Sequence, residues 1–306
     1  MTKLFYTLLL VIAGSTLFAQ HNPHFSHFMF NKLAINPAYA GSKEALSVMA
    51  LYRHQWDGIV GAPRTGTAAA HLPLFGNRVG AGIRVVSDRV GMLHNTYANM
   101  AYAYRLKFKG GSTLSAGINL EVENTRFDWS RALIQDVQDD EIPFDADAQT
   151  NFNVGAGLYY QSKLFYLGVS LPQIMRNPLY DDIFESISDL ARVRSHYLIG
   201  GLTLPLGKNV SLQPSFLVTY VPNAPLDIDA NLSFLLFNKL WIGGTYRKDD
   251  SADVMLGFQF NKQWRLGISY DYTYSELNPF SRGSGEVMIE HTFDYDNEKL
   301  NNIRFF

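Results

Sequence analysis

The sequence contains no cysteine among its 306 residues, and its charged residues are few. Without cysteine the chain forms no disulfide, no zinc–thiolate site and no lipidated N-terminal cysteine. Charged residues make up 18% of the chain, which is below the roughly 25% of ordinary soluble domains. The net charge of −2 provides no strongly basic surface, so we predict no nucleic-acid partner.

Long apolar runs are also absent, except for one at the N-terminus. Lys3 precedes an apolar run over residues 4–13, and Ala19 stands before a plausible cleavage point, although Leu17 occupies a position where a small residue is preferred. The run is too short for a spanning helix, which needs about 20 apolar residues. We therefore predict a signal peptide at residues 1–19 and an exported mature chain without a transmembrane helix.

The sequence does contain a repeated alternation of apolar and polar residues. In the stretch 114–123, an apolar series that includes Leu114, Ile118 and Val122 occupies every second position, and the positions between are small or polar. Period two places the two series on opposite faces of a β-strand. The pattern recurs in about fourteen segments, most of about 8 to 12 residues, which is near the length of a strand that crosses a bilayer at a tilt.

The connections between these segments alternate in length. They are short after even-numbered strands, as at 75–77, and usually longer after odd-numbered strands, as at 88–95 and 125–150. Short turns at one rim and long loops at the other are typical of outer-membrane barrels. We predict an all-β fold, a transmembrane antiparallel up-and-down β-barrel of about 14 strands and outer-membrane type, over residues 43–295. The even strand number puts both termini, including a tail at 296–306, on the periplasmic side.

The two faces of the predicted strands differ in polarity. One face is apolar, with aromatic residues near the strand ends, as contact with outer-membrane lipid requires. The other face carries small residues, which leave room for larger neighbours, and charges of both signs. Because lipid cannot solvate a charge, we predict that these charges form a cross-linked network in the lumen rather than an ion-selective pore. The predicted lumen charge network consists of Arg53, Arg84, Arg105, Glu121, Glu123, Arg247, Arg265, Asp271, Glu286 and Glu290.

Catalytic motifs are absent from the sequence. It has no Gly-x-Ser-x-Gly elbow and no His-Glu-x-x-His motif, so we predict that the chain is not an enzyme and holds no cofactor. His21, His24 and His27 are spaced by threes, but their segment is not predicted to be helical, and we predict no metal site there. The acidic stretch Asp136–Asp147 does not follow the order of a calcium loop, and we interpret it as a solvated surface loop.

Two stretches near the start of the predicted mature chain carry a resemblance to a known family. Residues 25–31 read FSHFMFN and residues 35–42 read INPAYAGS, with further matches at 51–65 and at the chain end, RFF. These stretches resemble the PorP/SprF family, although the histidines at 24 and 27 depart from the glutamine-type residues of its motif.

The resemblance implies an outer-membrane protein of the type IX secretion system of Bacteroidetes. Members of the family are associated with secretion or surface anchoring of cargo that carries a C-terminal sorting domain, including gliding adhesins. The implied partners are other type IX components and, for some members, a peptidoglycan-bound periplasmic protein. The resemblance implies no catalytic residues.

Residues 20–42 hold two prolines and an Asn-Pro pair, which favour extended or turn geometry, so we predict an extended segment on the periplasmic side rather than a strand. Two roles remain open for its candidate site residues, a surface that binds partners or a seal at the barrel base. The preferred function is a docking or anchoring component of type IX secretion and gliding, and the alternative is an outer-membrane porin or substrate-selective transporter. The candidate site residues are Phe25, Phe28, Phe30, Asn36, Pro37 and Tyr39.

Overall fold

Antiparallel β-strands account for most of the structure. The structure, a computed structural model, describes residues 23–128, 148–175, 194–222 and 224–293. The first half of the chain forms β1 (Leu46–His54), β2 (Arg64–Leu74), β3 (Val79–Val90), β4 (Leu93–Lys107), β5 (Thr113–Phe127), β6 (Gln149–Gln161) and β7 (Phe165–Leu171). The second half forms β8 (His196–Leu202), β9 (Leu204–Pro205), β10 (Val210–Tyr220), β11 (Asp227–Leu236), β12 (Leu240–Arg247), β13 (Ser251–Gln259), β14 (Trp264–Thr273) and β15 (Ser284–Phe293).

The strands form one sheet that closes on itself. Neighbours in sequence pair antiparallel, and β8 and β9 are two parts of one strand because both pair with β10. The last strand pairs with the first, from Leu46 opposite Phe293 to His54 opposite Gly285. The chain is therefore a closed antiparallel barrel of 14 strands, which confirms the predicted fold class. Closure leaves no unpaired strand edge in the hydrocarbon of a bilayer.

The barrel buries polar residues and exposes apolar ones. Along β5 every second residue from Thr113 to Thr125 is buried, whereas Leu114, Ile118 and Val122 are 36%, 58% and 41% exposed. In water the exposed band would be costly, at about 25 cal/mol per Å² of apolar surface. In lipid it is the arrangement that an outer-membrane barrel requires.

One predicted loop is instead a tight hairpin. β3 continues to Val90 and β4 begins at Leu93, so only Gly91 and Met92 connect them where a loop over 88–95 was expected. The loop prediction was wrong because β3 and β4 continue to pair through polar residues such as Asp88 and Asn95. Asp88 lies on the inner face of β3 and accepts a hydrogen bond of 2.6 Å from Thr65.

Three predicted regions lie outside the described residues: the signal peptide at 1–19, the acidic stretch Asp136–Asp147 and the tail at 296–306. No helix in the part of the chain that the structure describes is long and apolar enough to cross a membrane. Residues 23–44, which precede β1, lie inside the barrel, and we call them the luminal segment. It contains α1 (Lys32–Ile35) and a 3-10 helix (Pro37–Tyr39), so the prediction of an extended segment was wrong.

Candidate functional site

The luminal segment passes from one rim of the barrel to the other. At its start, His24 Nδ1 lies 3.4 Å from Oδ2 of Asp227, the first residue of β11 at the rim of the long loops. At its end, Glu44 Oε1 lies 2.7 Å from Nζ of Lys107, the last residue of β4 at the rim of the short turns. The described part of the segment therefore lies within the lumen over the height of the barrel, rather than beyond the short turns as expected.

Glycines on the inner face of the wall allow the luminal segment to approach the strands. A Cβ atom at Gly80 would lie 1.9 Å from the carbonyl oxygen of Ala40, and one at Gly117 would lie 2.5 Å from the nitrogen of Ala38. At Gly157 the same atom would lie 2.1 Å from Oδ1 of Asn36. No side chain fits in these gaps, so the small inner residues predicted from the sequence serve contact with this backbone.

Asn36 connects the fold of the segment to the wall. Its Oδ1 accepts a hydrogen bond of 2.9 Å from the backbone N–H of Ala38, which caps the 3-10 helix, and Pro37 fixes the first residue of that helix. Its Nδ2 donates to the carbonyl oxygens of Leu158 and Val169, at 2.9 and 3.2 Å. Asn36 is fully buried. Its amide accepts the hydrogen bond that caps the 3-10 helix and donates the two that hold this helix against β6 and β7.

Aromatic side chains fill the space between the luminal segment and the wall. Phe30 packs edge-on against Trp241 with ring centroids 5.8 Å apart, and Tyr39 packs edge-on against Tyr159 at 5.4 Å. Such pairs add about 0.5–1.5 kcal/mol to their burial. The structure places all six candidate site residues inside the lumen and none on an outer surface: Phe25, Phe28, Phe30, Asn36, Pro37 and Tyr39.

A buried charge cluster joins the segment to the wall in the half of the lumen near the long loops. Arg53 Nη2 lies 2.6 Å from Oδ2 of Asp271, and its Nη1 donates to Ser26 Oγ at 2.7 Å. Glu286 accepts hydrogen bonds from the backbone N–H groups of Ser26 and His27, at 3.0 and 2.8 Å. These groups are all buried, so each charge depends on its partners for solvation.

A second cluster lies nearer the short turns. Glu290 forms an ion pair with Lys43 of the luminal segment and accepts a hydrogen bond of 2.9 Å from Ser47. Arg265 Nη1 lies 3.3 Å from the other carboxylate oxygen of Glu290, and the guanidinium lies 4.9 Å from the ring of Phe30. The second cluster therefore fixes the end of the segment as the first fixes its start.

Of the other predicted lumen charges, Arg247 adjoins the first cluster, with Nη1 3.9 Å from Oδ2 of Asp271, and the rest form separate contacts. Arg84 donates to Asn99 and lies 3.9 Å from Glu121, while Arg105 lies 3.8 Å from Glu44. Glu123 accepts a hydrogen bond from Thr125, and Arg247 donates to Asp229 at 2.7 Å. The structure thus divides the predicted network into several groups on the inner face.

The match to a known family extends over nearly the whole chain. The sequence model of the type IX secretion system membrane protein PorP/SprF matches residues 17–291. The chain belongs to the PorP/SprF family. The match confirms the resemblance carried by residues 25–42, and it identifies the chain as a membrane component of type IX secretion. With the barrel fold, it places the protein in the outer membrane.

Solved structures similar to this PorP/SprF protein are outer-membrane barrels of low sequence identity. A FadL homologue from Pseudomonas aeruginosa is 12% identical with a TM-score of 0.50, over 92% of this chain and 96% of its own. The P. putida toluene transporter TodX is 10% identical with a TM-score of 0.47, over 86% of this chain and 94% of its own. The similarity to the FadL homologue supports the barrel fold, and neither similarity supports a function. No curated protein matches the chain.

The polar residues of the luminal segment that bind the wall charges were not predicted from the sequence. Ser26, His27 and Lys43 contact carboxylates of β14 and β15, strands that are far away along the chain. The inner glycines were the signal that could have indicated a segment inside the lumen of this PorP/SprF protein, since a Cβ atom at Gly80 would meet Ala40 and one at Gly267 would meet His27.

Replacing Asn36 by alanine is expected to lower the free energy of unfolding by about 1–3 kcal/mol. The change leaves the N–H of Ala38 without its acceptor and opens a gap beside Gly157. Urea unfolding of the purified barrel in detergent, followed by tryptophan fluorescence, measures the effect. The control is Asn124→Ala, which removes an exposed amide bonded to Thr150 and should change stability by no more than about 0.5 kcal/mol. Equal losses in both variants would contradict the anchoring role of Asn36.

Proposed function

We propose that this protein is a sealed, non-enzymatic docking component of type IX secretion that acts through the two rims of its barrel. The observation that supports this proposal is the luminal segment, which occupies the lumen from His24 to Glu44. Two cavities beside it measure about 10 and 20 Å³, room for about one water each. We infer that a lumen filled in this way by the described residues passes no solute, and that the binding surfaces are the turns and loops.

The orientation that we propose puts the long loops outside the cell and the short turns in the periplasm, as is usual for bacterial outer-membrane barrels. The short-turn rim would then bind other type IX components, including a peptidoglycan-bound periplasmic protein. The long loops would bind or anchor cargo with a C-terminal sorting domain, such as a gliding adhesin. In this proposal the six candidate site residues seal the barrel and do not themselves bind a partner.

Exposed phenylalanines occur at the short-turn rim. Four of the short turns or their ends each carry one, with exposed fractions between 50% and 79%: Phe75, Phe108, Phe237 and Phe260. Aromatic residues at this height suit the lipid interface, and an apolar ring at a rim also suits a protein partner. We call these four residues the turn ring and propose that it contacts the periplasmic partner.

The test compares the culture supernatant and the cell surface, by mass spectrometry, in cells with and without the gene. We expect loss of proteins that share a C-terminal sorting domain, or of one large adhesin if the barrel serves a single cargo. Cells that carry the turn ring changed to serine should retain the barrel at the wild-type level and still lose export. The matched control changes Val60 and Phe280, exposed near the long-loop rim, to serine.

The outcome that contradicts the proposal is an unchanged set of exported proteins in cells without the gene. That result would leave the outer-membrane barrel in place and favour the alternative function, solute transport. If cells lacking the gene lose export and the turn-ring variant does not, the secretion role stands and the contact surface lies elsewhere on the rims.

A further inference from the structure

Three potential metal ligands meet where the luminal segment begins. One nitrogen of His24 and one carboxylate oxygen each of Asp227 and Asp229 lie within 4.8 Å of one another. The two aspartates are two positions apart on β11, so both side chains point to the inner face. His24 reaches them from the segment, which means that these three groups converge only in the folded barrel.

Asp227 has a carboxylate oxygen that the protein leaves unsatisfied. Its side chain is 10% exposed, and its Oδ2 is buried and accepts no hydrogen bond. Native proteins rarely leave such an atom, because a buried acceptor without a partner costs about 1–3 kcal/mol. The orphan carboxylate oxygen faces an imidazole nitrogen and leaves a position between them where a cation can bind.

The distance between the two atoms supports this interpretation. His24 Nδ1 and Asp227 Oδ2 are 3.4 Å apart, which is long for a hydrogen bond. Nitrogen and oxygen ligands lie about 2.0–2.2 Å from zinc, so two ligands of one tetrahedral zinc ion are separated by about 3.3–3.6 Å. The observed spacing is that of two ligands on the same ion.

The charges around the three ligands also favour a cation. In this half of the lumen four carboxylates pair with two arginines, and a fifth, that of Asp227, lies beside His24, so carboxylates outnumber arginines among these described residues. Nε of Arg247 lies 2.7 Å from Oδ1 of Asp229. This pair leaves the second oxygen of the carboxylate for another partner. Excess buried negative charge is costly unless it is neutralised. The carboxylates are Asp227, Asp229, Asp250, Asp271 and Glu286, and the arginines are Arg53 and Arg247.

We propose that His24, Asp227 and Asp229 bind a zinc ion that fixes the start of the luminal segment to the wall near the long loops. An imidazole with two carboxylates suits zinc, whereas calcium and magnesium prefer oxygen ligands alone. Three protein ligands leave the fourth position to water. Because the ligands come together only on folding, zinc stabilises the barrel in proportion to its occupancy.

Zinc binding can be measured on the full-length barrel, purified in detergent without a polyhistidine tag and freed of metal with a chelator. We expect one zinc ion per barrel by calorimetric titration, and a visible absorption spectrum typical of tetrahedral coordination when cobalt(II) replaces zinc. We also expect zinc to raise the urea midpoint of unfolding. His24→Gln and Asp227→Asn should each weaken zinc affinity at least about tenfold, or about 1.4 kcal/mol.

The control for surface binding is His54→Gln. His54 lies near the same rim with Nδ1 3.8 Å from Asp57, and both side chains are partly exposed, so this variant should bind zinc like the unchanged protein. His24→Gln alters no wall residue and keeps the test valid if Asp227→Asn fails to fold. The inference is overturned if the folded barrel binds no zinc, or if His24→Gln binds zinc and cobalt as the unchanged protein does. Neither result affects the proposed docking function.

Discussion

Replacing Arg53 by methionine is expected to lower the free energy of unfolding by about 3–5 kcal/mol, because a broken buried ion pair leaves its partners unpaired. The guanidinium is 2.6 Å from Asp271 and 3.4 Å from Glu286, and both carboxylates are buried. It also donates a hydrogen bond to Ser26, so the same change loosens the luminal segment. Urea unfolding in detergent gives the change as a shift in midpoint at constant slope.

The control is Arg64→Met, a change of the same charge and length in the neighbouring strand. Arg64 is exposed and lies at the long-loop end of β2, opposite His54. We expect an effect within about 0.5 kcal/mol for this variant. If Arg53→Met costs no more than Arg64→Met, the cluster around Arg53 does not hold the barrel together, and the fit between segment and wall rests on apolar packing instead.

The barrel was predictable because its signal is local. The alternation in residues 114–123 appears in the structure as β5, with charged Glu121 and Glu123 buried and Leu114 exposed. The residues of each strand alternate between its two faces, and a closed barrel was expected because many such strands occur without a second long apolar run in the sequence. The exact extent of a strand was less predictable, since β3 and β4 continue through polar residues such as Asp88 once their side chains have partners inside the lumen.

The position of the luminal segment could not be predicted from the sequence because it depends on contacts between distant residues. Its prolines correctly indicated that it is not a strand. However, the contacts of Ser26 with Asp271, and of Asn36 with Leu158, leave no trace in local composition. The same holds for the proposed metal ligands, because the spacing of the N-terminal histidines says nothing about Asp227. Family resemblance marked the segment as distinctive without saying where it lies.

Removal of the luminal segment is expected to convert a silent barrel into a channel. We expect the full-length protein to show no conductance in planar lipid bilayers, because Phe28 and Tyr39 are buried against the wall with exposed fractions of 0% and 2%. Deletion of residues 23–44 should produce stable single-channel currents. A barrel of this strand number is wide enough to hold this segment, so an unfilled lumen would fill with water, as in larger porins.

A trimmed variant keeps this experiment decisive if the deletion fails to fold. Changing Phe28, Phe30 and Tyr39 to alanine removes the filling side chains and retains the polar anchors Ser26 and Asn36, so smaller but measurable currents are expected. Phe280→Ala, which trims an exposed ring in the loop before β15, should stay silent. Currents of equal size from the full-length and trimmed proteins would mean that the segment does not close the lumen. The proposal of a sealed docking barrel would then be wrong, and function as a porin or transporter would better explain this PorP/SprF protein.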